Sequence, residues 1–109
     1  MDMFSALGEP TRRSIVELIA QKGQLSATAI SDQFSSTPQA ISQHLKVLRD
    51  AEVLQVEKKA QMRIYSINAK KITELEDWIK KLTMLWDERF GRLDKILELE
   101  KQKLGGGDK

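Results

Sequence analysis

Thr37 to Leu54 reads TPQAISQHLKVLRDAEVL, and the fold of the chain is decided there. With Ile41 at zero on a helical wheel, Leu45 and Leu48 fall within about 40° of it, which makes one narrow apolar stripe. Burying that stripe leaves Gln39, Ser42, Gln43, Lys46 and Asp50 on the other side. This face donates and accepts hydrogen bonds and holds no large apolar group, the chemistry that suits base edges. Thr37 caps the free backbone donors, and Pro38 fits the first helical position, where no amide hydrogen is required. After Asp50, the run Ala51, Glu52, Val53, Leu54, Gln55, Val56 changes to an apolar and polar alternation that reads as a strand.

Working upstream, Ser26 caps a short helix, ATAISDQF, whose Ile30 and Phe34 stand four residues apart on one side. The connection SST is too short for a long antiparallel overlap, so the two helices cross steeply as a helix-turn-helix. Such pairs also occur in ordinary helical domains. Working downstream, Leu54 to Glu57 and Met62 to Ile67 are rich in Val, Ile and Tyr and form a hairpin across Lys58, Lys59, Ala60 and Gln61. The resulting fold class is mainly α with a small β-hairpin, a winged helix-turn-helix with the recognition helix at 37–51 and the wing at 54–67. Lys46, Arg49, Lys58, Lys59 and Arg63 lie within this region, two of them at the hairpin tip. A tip of this charge can reach phosphates or a minor groove, or it can simply blunt an edge strand and keep it soluble.

Residues 2–8 form a short helix with Met3, Phe4 and Leu7 on one side. Glu9 and Pro10 start a stronger helix, marked by Ile15, Leu18 and Ile19 and ended by Gly23. Arg12 and Arg13 fall in its first turn, where the dipole disfavours cations by roughly 0.3 to 1 kcal/mol. A carboxylate, solvent or a phosphate would compensate them.

From Ala69 to Leu104 the pattern becomes a long helical period with no proline, one helix or two consecutive ones, interrupted at Gly91 by a residue that costs about 1 kcal/mol relative to alanine. Its stripe holds Trp78, Trp86 and Phe90, more apolar bulk than the short preceding helices can cover, which implies a partner chain. The chain is thus read as a DNA-binding region at 1–69, a dimerisation helix or helices at 70–104 within the same domain, and a disordered tail at 105–109.

The length of 109 residues suits one small domain. With 18 basic and 16 acidic residues, the net charge of +2 is too slight to diagnose a nucleic-acid partner, so local placement must carry that argument. No cysteine is present, which removes disulfides, thiolate metal sites and cysteine nucleophiles. His44 is the single histidine, and at the edge of its helix it reads as a hydrogen-bonded structural residue and not as a general base. With no phosphate loop or nucleophile elbow either, the chain is expected not to be an enzyme, and to use no cofactor and no metal. No stretch is long and apolar enough to span a membrane, and the opening MDMFSALGEP lacks the features of a secretory signal, so the expected location is the cytoplasm.

The run SQHLKVLRDAEVL, the strand RIYSI at 63–67 and the opening FSALGEPTRRSIVELI together resemble the ArsR family of bacterial winged-helix repressors over nearly the whole chain. The end, LEDWIKKLTMLWDERFGRLDKIL, is similar to a subgroup without metal ligands. The resemblance implies a homodimer held by the first and last helices, which assigns Phe4, Leu7, Trp78, Leu82, Trp86, Phe90 and Leu93 to the interface. It also implies a double-stranded DNA operator bound in successive major grooves, with repression relieved by a signal such as a small-molecule inducer. By position, DNA contacts fall on Gln39, Ser42 and Gln43, with Lys46, Lys58, Lys59 and Arg63 near phosphates. The sequence departs from the family at Glu9, where an aspartate cap is usual, at Pro38, where many members have a polar residue, and at Ala60, where many have glycine. Metal-sensing members carry cysteines on the helix before recognition or His and Asp in the last helix. Here SATAISDQF and WDERFGRLDKIL hold no His or Cys, so that role is not carried over. A winged-helix module that binds protein and not DNA shares the same fold and stays open on the residues alone.

Overall fold

A computed structural model describes the backbone of residues 1–103 and the side chains of residues 1–88. In chain order the elements are α1 (Met3–Ala6), α2 (Pro10–Lys22), β1 (Gln24–Ser26), α3 (Ala27–Asp32), α4 (Pro38–Asp50), β2 (Leu54–Lys59), β3 (Met62–Ile67) and α5 (Ala69–Lys103). Two compact units result, Met1–Thr73 and a second beginning at Glu74.

The core of the first unit follows the apolar periodicity. Ile15 and Ile19 of α2, Ile30 of α3, and Ile41, Leu45 and Leu48 of α4 are at most 2% exposed, and Val53 and Leu54 join them. Each helix start is satisfied by a side chain. Ser26 Oγ accepts from Ala29 N at 3.1 Å and Thr37 Oγ1 from Ala40 N at 3.1 Å. Glu9 does the same for α2, accepting from Arg12 N at 2.8 Å, and this hydrogen bond holds its carboxyl below the usual carboxylate range. Helix α2 ends at Gly23, whose φ of 86° is the left-handed backbone that favours glycine.

Helix α3 is shorter than its sequence pattern suggests. It stops at Asp32, Gln33 caps it, and half-buried Phe34 lies beyond its end. The apolar spacing of Ile30 and Phe34 is met without continuing the helix, because Phe34 N turns back to Ser31 O at 3.2 Å.

The first-turn arginines of α2 donate to the carbonyl end of α1. Arg12 Nε donates to Ala6 O at 2.6 Å and Nη2 to Ser5 O at 3.3 Å, while Arg13 Nη1 donates to Leu7 O at 2.7 Å. Ala6 O and Leu7 O are among the carbonyls that a helix end leaves without a partner in the helix, while Ser5 O also accepts from Gly8 N at 3.1 Å. Arg12 Nη1 also reaches His44 Nδ1 at 3.5 Å. Since guanidinium only donates, Nδ1 is the acceptor there. His44 is half-buried on α4.

The sheet has three strands in the order β1-β3-β2, all antiparallel. Strand β1 is an element that the sequence reading did not contain. It pairs Gln24 with Ser66, Leu25 with Tyr65 and Ser26 with Ile64, closing the free edge of β3. On the other edge β2 runs two residues further than expected, so Lys58 and Lys59 are strand residues opposite Arg63 and Met62, and the loop shrinks to Ala60 and Gln61. Ala60 takes φ 56°, which the tight turn demands and glycine would adopt more readily.

Helix α4 passes into β2 through a Schellman turn. Val53 N donates to Leu48 O and Glu52 N to Arg49 O, each at 2.9 Å, and Glu52 sits at φ 65° where glycine is usual. Fully buried Leu48 and Val53 supply the apolar contact of that motif. Lys71 Nζ lies 3.6 Å from Glu52 Oε1, and Asn68 N donates to Val53 O at 3.0 Å.

Helix α5 is a single helix that continues through Gly91. Asn68 caps it, its Oδ1 accepting from Lys71 N at 3.4 Å. Within the second unit, Trp78, Ile79, Leu82, Leu85 and Trp86 are 45–63% exposed. They span about 120° of the helix wheel, the breadth of a face that packs against another element. The interface assignments Phe90 and Leu93 and the tail at 105–109 lie outside the described side chains. Among the described residues no helix is long and apolar enough to cross a membrane.

Candidate nucleic-acid interface

Helix α4 has one face at the core and one in solvent. Ile41, Leu45 and Leu48 are 1%, 2% and 0% exposed, whereas Gln39, Ser42, Gln43 and Lys46 are all exposed. The apolar stripe fixes the rotation of the helix and so aims the polar side chains outward together. Thr37 and Pro38 fix where it begins.

The wing lies beside this helix with its two lysines on different faces. Side chains alternate along a strand, so Arg63 shares a face with buried Tyr65, and Lys58, directly opposite Arg63, shares it too. Lys59 emerges on the other face, 3.7 Å from Glu57 Oε1. The sequence reading treated Lys58 and Lys59 as one basic loop tip; the added pair of strand residues separates them.

Two hollows open between α4 and β3. The larger, about 430 Å³, runs along α3, α4 and β3 and is lined by Thr28, Asp32, Pro38, Ile41, Ser42 and Arg63 among others. The smaller, about 120 Å³, is lined by Ser42, Gln43, Lys46, Arg49, Arg63 and Tyr65. Ser42, Gln43, Lys46 and Arg63, which the sequence singles out, are thus brought together, while Gln39, Lys58 and Lys59 line neither hollow. Arg49 and Tyr65 join the smaller one without having been named as site residues. The signal for Arg49 was present, since Ser42, Lys46 and Arg49 recur at spacings of four and three on one helical face. Of the residues expected from the sequence at a dimer interface, Phe4 is 48% exposed, Leu7 is half-buried, and Trp78, Leu82 and Trp86 are 46%, 45% and 63% exposed. Among the described residues no cluster of three or more His, Cys, Asp or Glu side chains could hold a metal ion.

A helix-turn-helix whose second helix exposes amides and a lysine, followed at once by an antiparallel wing, defines a winged helix-turn-helix DNA-binding protein. A helix-turn-helix domain family profile matches residues 7–57. The chain is 33% identical to the transcriptional repressor SdpR of Bacillus subtilis over 72% of its own length and 86% of that protein. It is 30% identical to an HTH-type transcriptional regulator of Methanocaldococcus jannaschii over 80% of its length and 90% of that protein. In fold it is similar to an ArsR-like transcriptional regulator from Rhodococcus sp., with a TM-score of 0.72 and 22% identity, covering 85% of this chain and 87% of that one. The chain belongs to the ArsR family of winged helix-turn-helix transcriptional regulators. It is a DNA-binding transcriptional regulator and not an enzyme.

Proposed function

We propose that the chain is a homodimeric, cytoplasmic repressor that docks α4 in successive major grooves roughly 34 to 36 Å apart. The observation that carries this is α4 itself, pinned on one side by three buried residues and offering Gln39, Ser42, Gln43 and Lys46 on the other. Gln39 and Gln43 read bases, Ser42 supplies a hydroxyl close by, and Lys46, Lys58, Lys59 and Arg63 engage phosphates. A bidentate glutamine to adenine contact contributes roughly 1 to 3 kcal/mol of discrimination, while the cations supply a salt-dependent and sequence-independent part. Gln43→Ala is expected to relax operator preference in selection from a random duplex library. Unchanged selected sequences would remove Gln43 from base reading.

The second copy covers apolar surface on each unit separately: Phe4 on α1 with Leu7 at its C-cap, and Trp78, Leu82 and Trp86 along α5, with Phe90 and Leu93 assigned to the same interface from the sequence. The exposed tryptophans support this reading, since a contiguous apolar face of this kind on a monomer marks an association site. Truncating a central interface tryptophan costs about 2 kcal/mol or more, so Trp86→Ala is expected to weaken association roughly 30-fold or more in sedimentation equilibrium. A wild-type chain that stays monomeric at all concentrations would refute self-association. Relief of repression by a small-molecule inducer belongs to the same proposal.

A further inference from the structure

The smaller hollow beside α4 has a chemistry of its own. Its lining is Ser42, Gln43, Lys46 and Arg49 from one helix with Arg63 and Tyr65 from β3, so two guanidinium groups and one ammonium converge on about 120 Å³ from two elements. No carboxylate lines it among the described residues. Lys46 and Arg63 make no ion pair among the described residues, and Arg49 has only the solvent-exposed carboxylate of its neighbour Asp50, at 3.3 Å. Lys58 stands directly across the strand pair from Arg63, a juxtaposition of like charges that is unfavourable unless an anion lies nearby. Apart from the exposed Arg49–Asp50 pair, no ion pair among the described residues offsets these cations, and the carboxylate on the adjoining hollow is Asp32. The shape of the donor set selects the anion. Planar guanidinium groups bind paired oxygens, an ammonium acts as a point charge, and hydroxyl and amide groups complete the shell, a set that suits a compact oxyanion with several equivalent oxygens.

We propose that this hollow is a seat for a single phosphate-type oxyanion, with Arg49 as its third cation and Tyr65 as its floor. Resting on the reading that α4 faces DNA, the occupant in the operator complex is a backbone phosphate. In the absence of DNA a free phosphate takes the same position, so free phosphate competes with operator DNA.

Two arms separate the sources. In the first, operator binding by the full chain is measured at matched ionic strength in chloride and in inorganic phosphate, and the slope of affinity against salt is recorded. Wild type is expected to bind more weakly in phosphate, Arg49→Gln to lose that difference, and its slope to fall by about 0.9, the value for one phosphate contact. Lys80→Gln, on the opposite side of the α5 wheel from Trp78, should keep both. In the second arm the DNA-free protein is titrated with inorganic phosphate while arginine side-chain NH resonances are followed. Saturable shifts at Arg49 and Arg63 that disappear in Arg49→Gln are expected, and Tyr65→Phe, which keeps the ring, should weaken them. A lowered slope alone keeps the seat for the DNA phosphate, and saturable shifts alone keep it for the free anion. An unchanged slope together with no saturable shift overturns the proposal. The second arm uses no DNA, so it tests the seat even if the base-reading assignment fails.

Discussion

Replacing Arg12 by methionine removes a guanidinium while keeping the stem, and its effect follows from what Arg12 holds. Helix α1 has four residues, far too few to persist alone in water. It stays in place because Met3 and Ala6 are buried at 7% and 0% exposure, and because the α2 arginines take its terminal carbonyls. Of the three Arg12 side-chain contacts only Nε to Ala6 O, at 2.6 Å, is short; those to Ser5 O and His44 Nδ1, at 3.3 and 3.5 Å, contribute little. A hydrogen bond from a charged donor contributes roughly 1.5 to 3 kcal/mol, and the abandoned Ala6 carbonyl is buried, so Arg12→Met should cost about 2 kcal/mol. At about 4 to 8 °C per kcal/mol for a domain of this size, the melting temperature falls by about 8 to 16 °C. The assay is thermal unfolding at a fixed protein concentration, since the proposed self-association would make the midpoint concentration-dependent. Hydrogen exchange reports α1 directly through the amides of Ala6 and Leu7, which donate to Asp2 O and Met3 O. A midpoint within about 2 °C of wild type, with unchanged exchange at both amides, would refute the account of how α1 is held.

Two further predictions concern stability. Because hydrogen bonding from Arg12 N lowers the Glu9 pKa, Glu9 stabilises the fold above the ordinary carboxylate range, and that contribution disappears as pH falls through its lowered folded value; Glu9→Gln should flatten the loss of stability as pH falls through and below the ordinary carboxylate range, measured by urea unfolding. Ala60→Gly should stabilise the chain by about 0.5 to 1 kcal/mol, the left-handed backbone penalty of roughly 1 to 2 kcal/mol less the extra unfolded-state entropy of glycine; a destabilised variant would mean that the turn does not hold Ala60 at positive φ.

Much of this architecture was legible because burial enforces periodicity. Ile41, Leu45 and Leu48 could point only one way, and the cap at Thr37 with Pro38 marked the helix start to the residue. The parts that escaped are those fixed by partners distant in sequence. Strand β1 has three residues, too few to alternate visibly, and exists because β3 offers it an edge. The ends of β2 are set by how far β3 continues opposite them, which is why Lys58 and Lys59 looked like loop residues. The partners of the α2 arginines are backbone carbonyls of α1, which carry no sequence signature. At the interface, residue types on α4 could be read directly, but the convergence of Arg49 with Arg63 depends on the packing of β3 against α4.

Between the recognition helix and the wing stand only Ala51, Glu52 and Val53, all tied by hydrogen bonds to the last turn of α4, with Glu52 also paired to Lys71. That leaves no slack, so helix and hairpin behave as a single stencil with one fixed spacing between its cut-outs. Swinging the base of the hairpin away from α4 would break these bonds, whereas tilting the whole stencil keeps them. Divergence in operator preference should accordingly come through exchange of side chains on a constant frame, while a residue inserted between Asp50 and Leu54 would throw the two parts out of step.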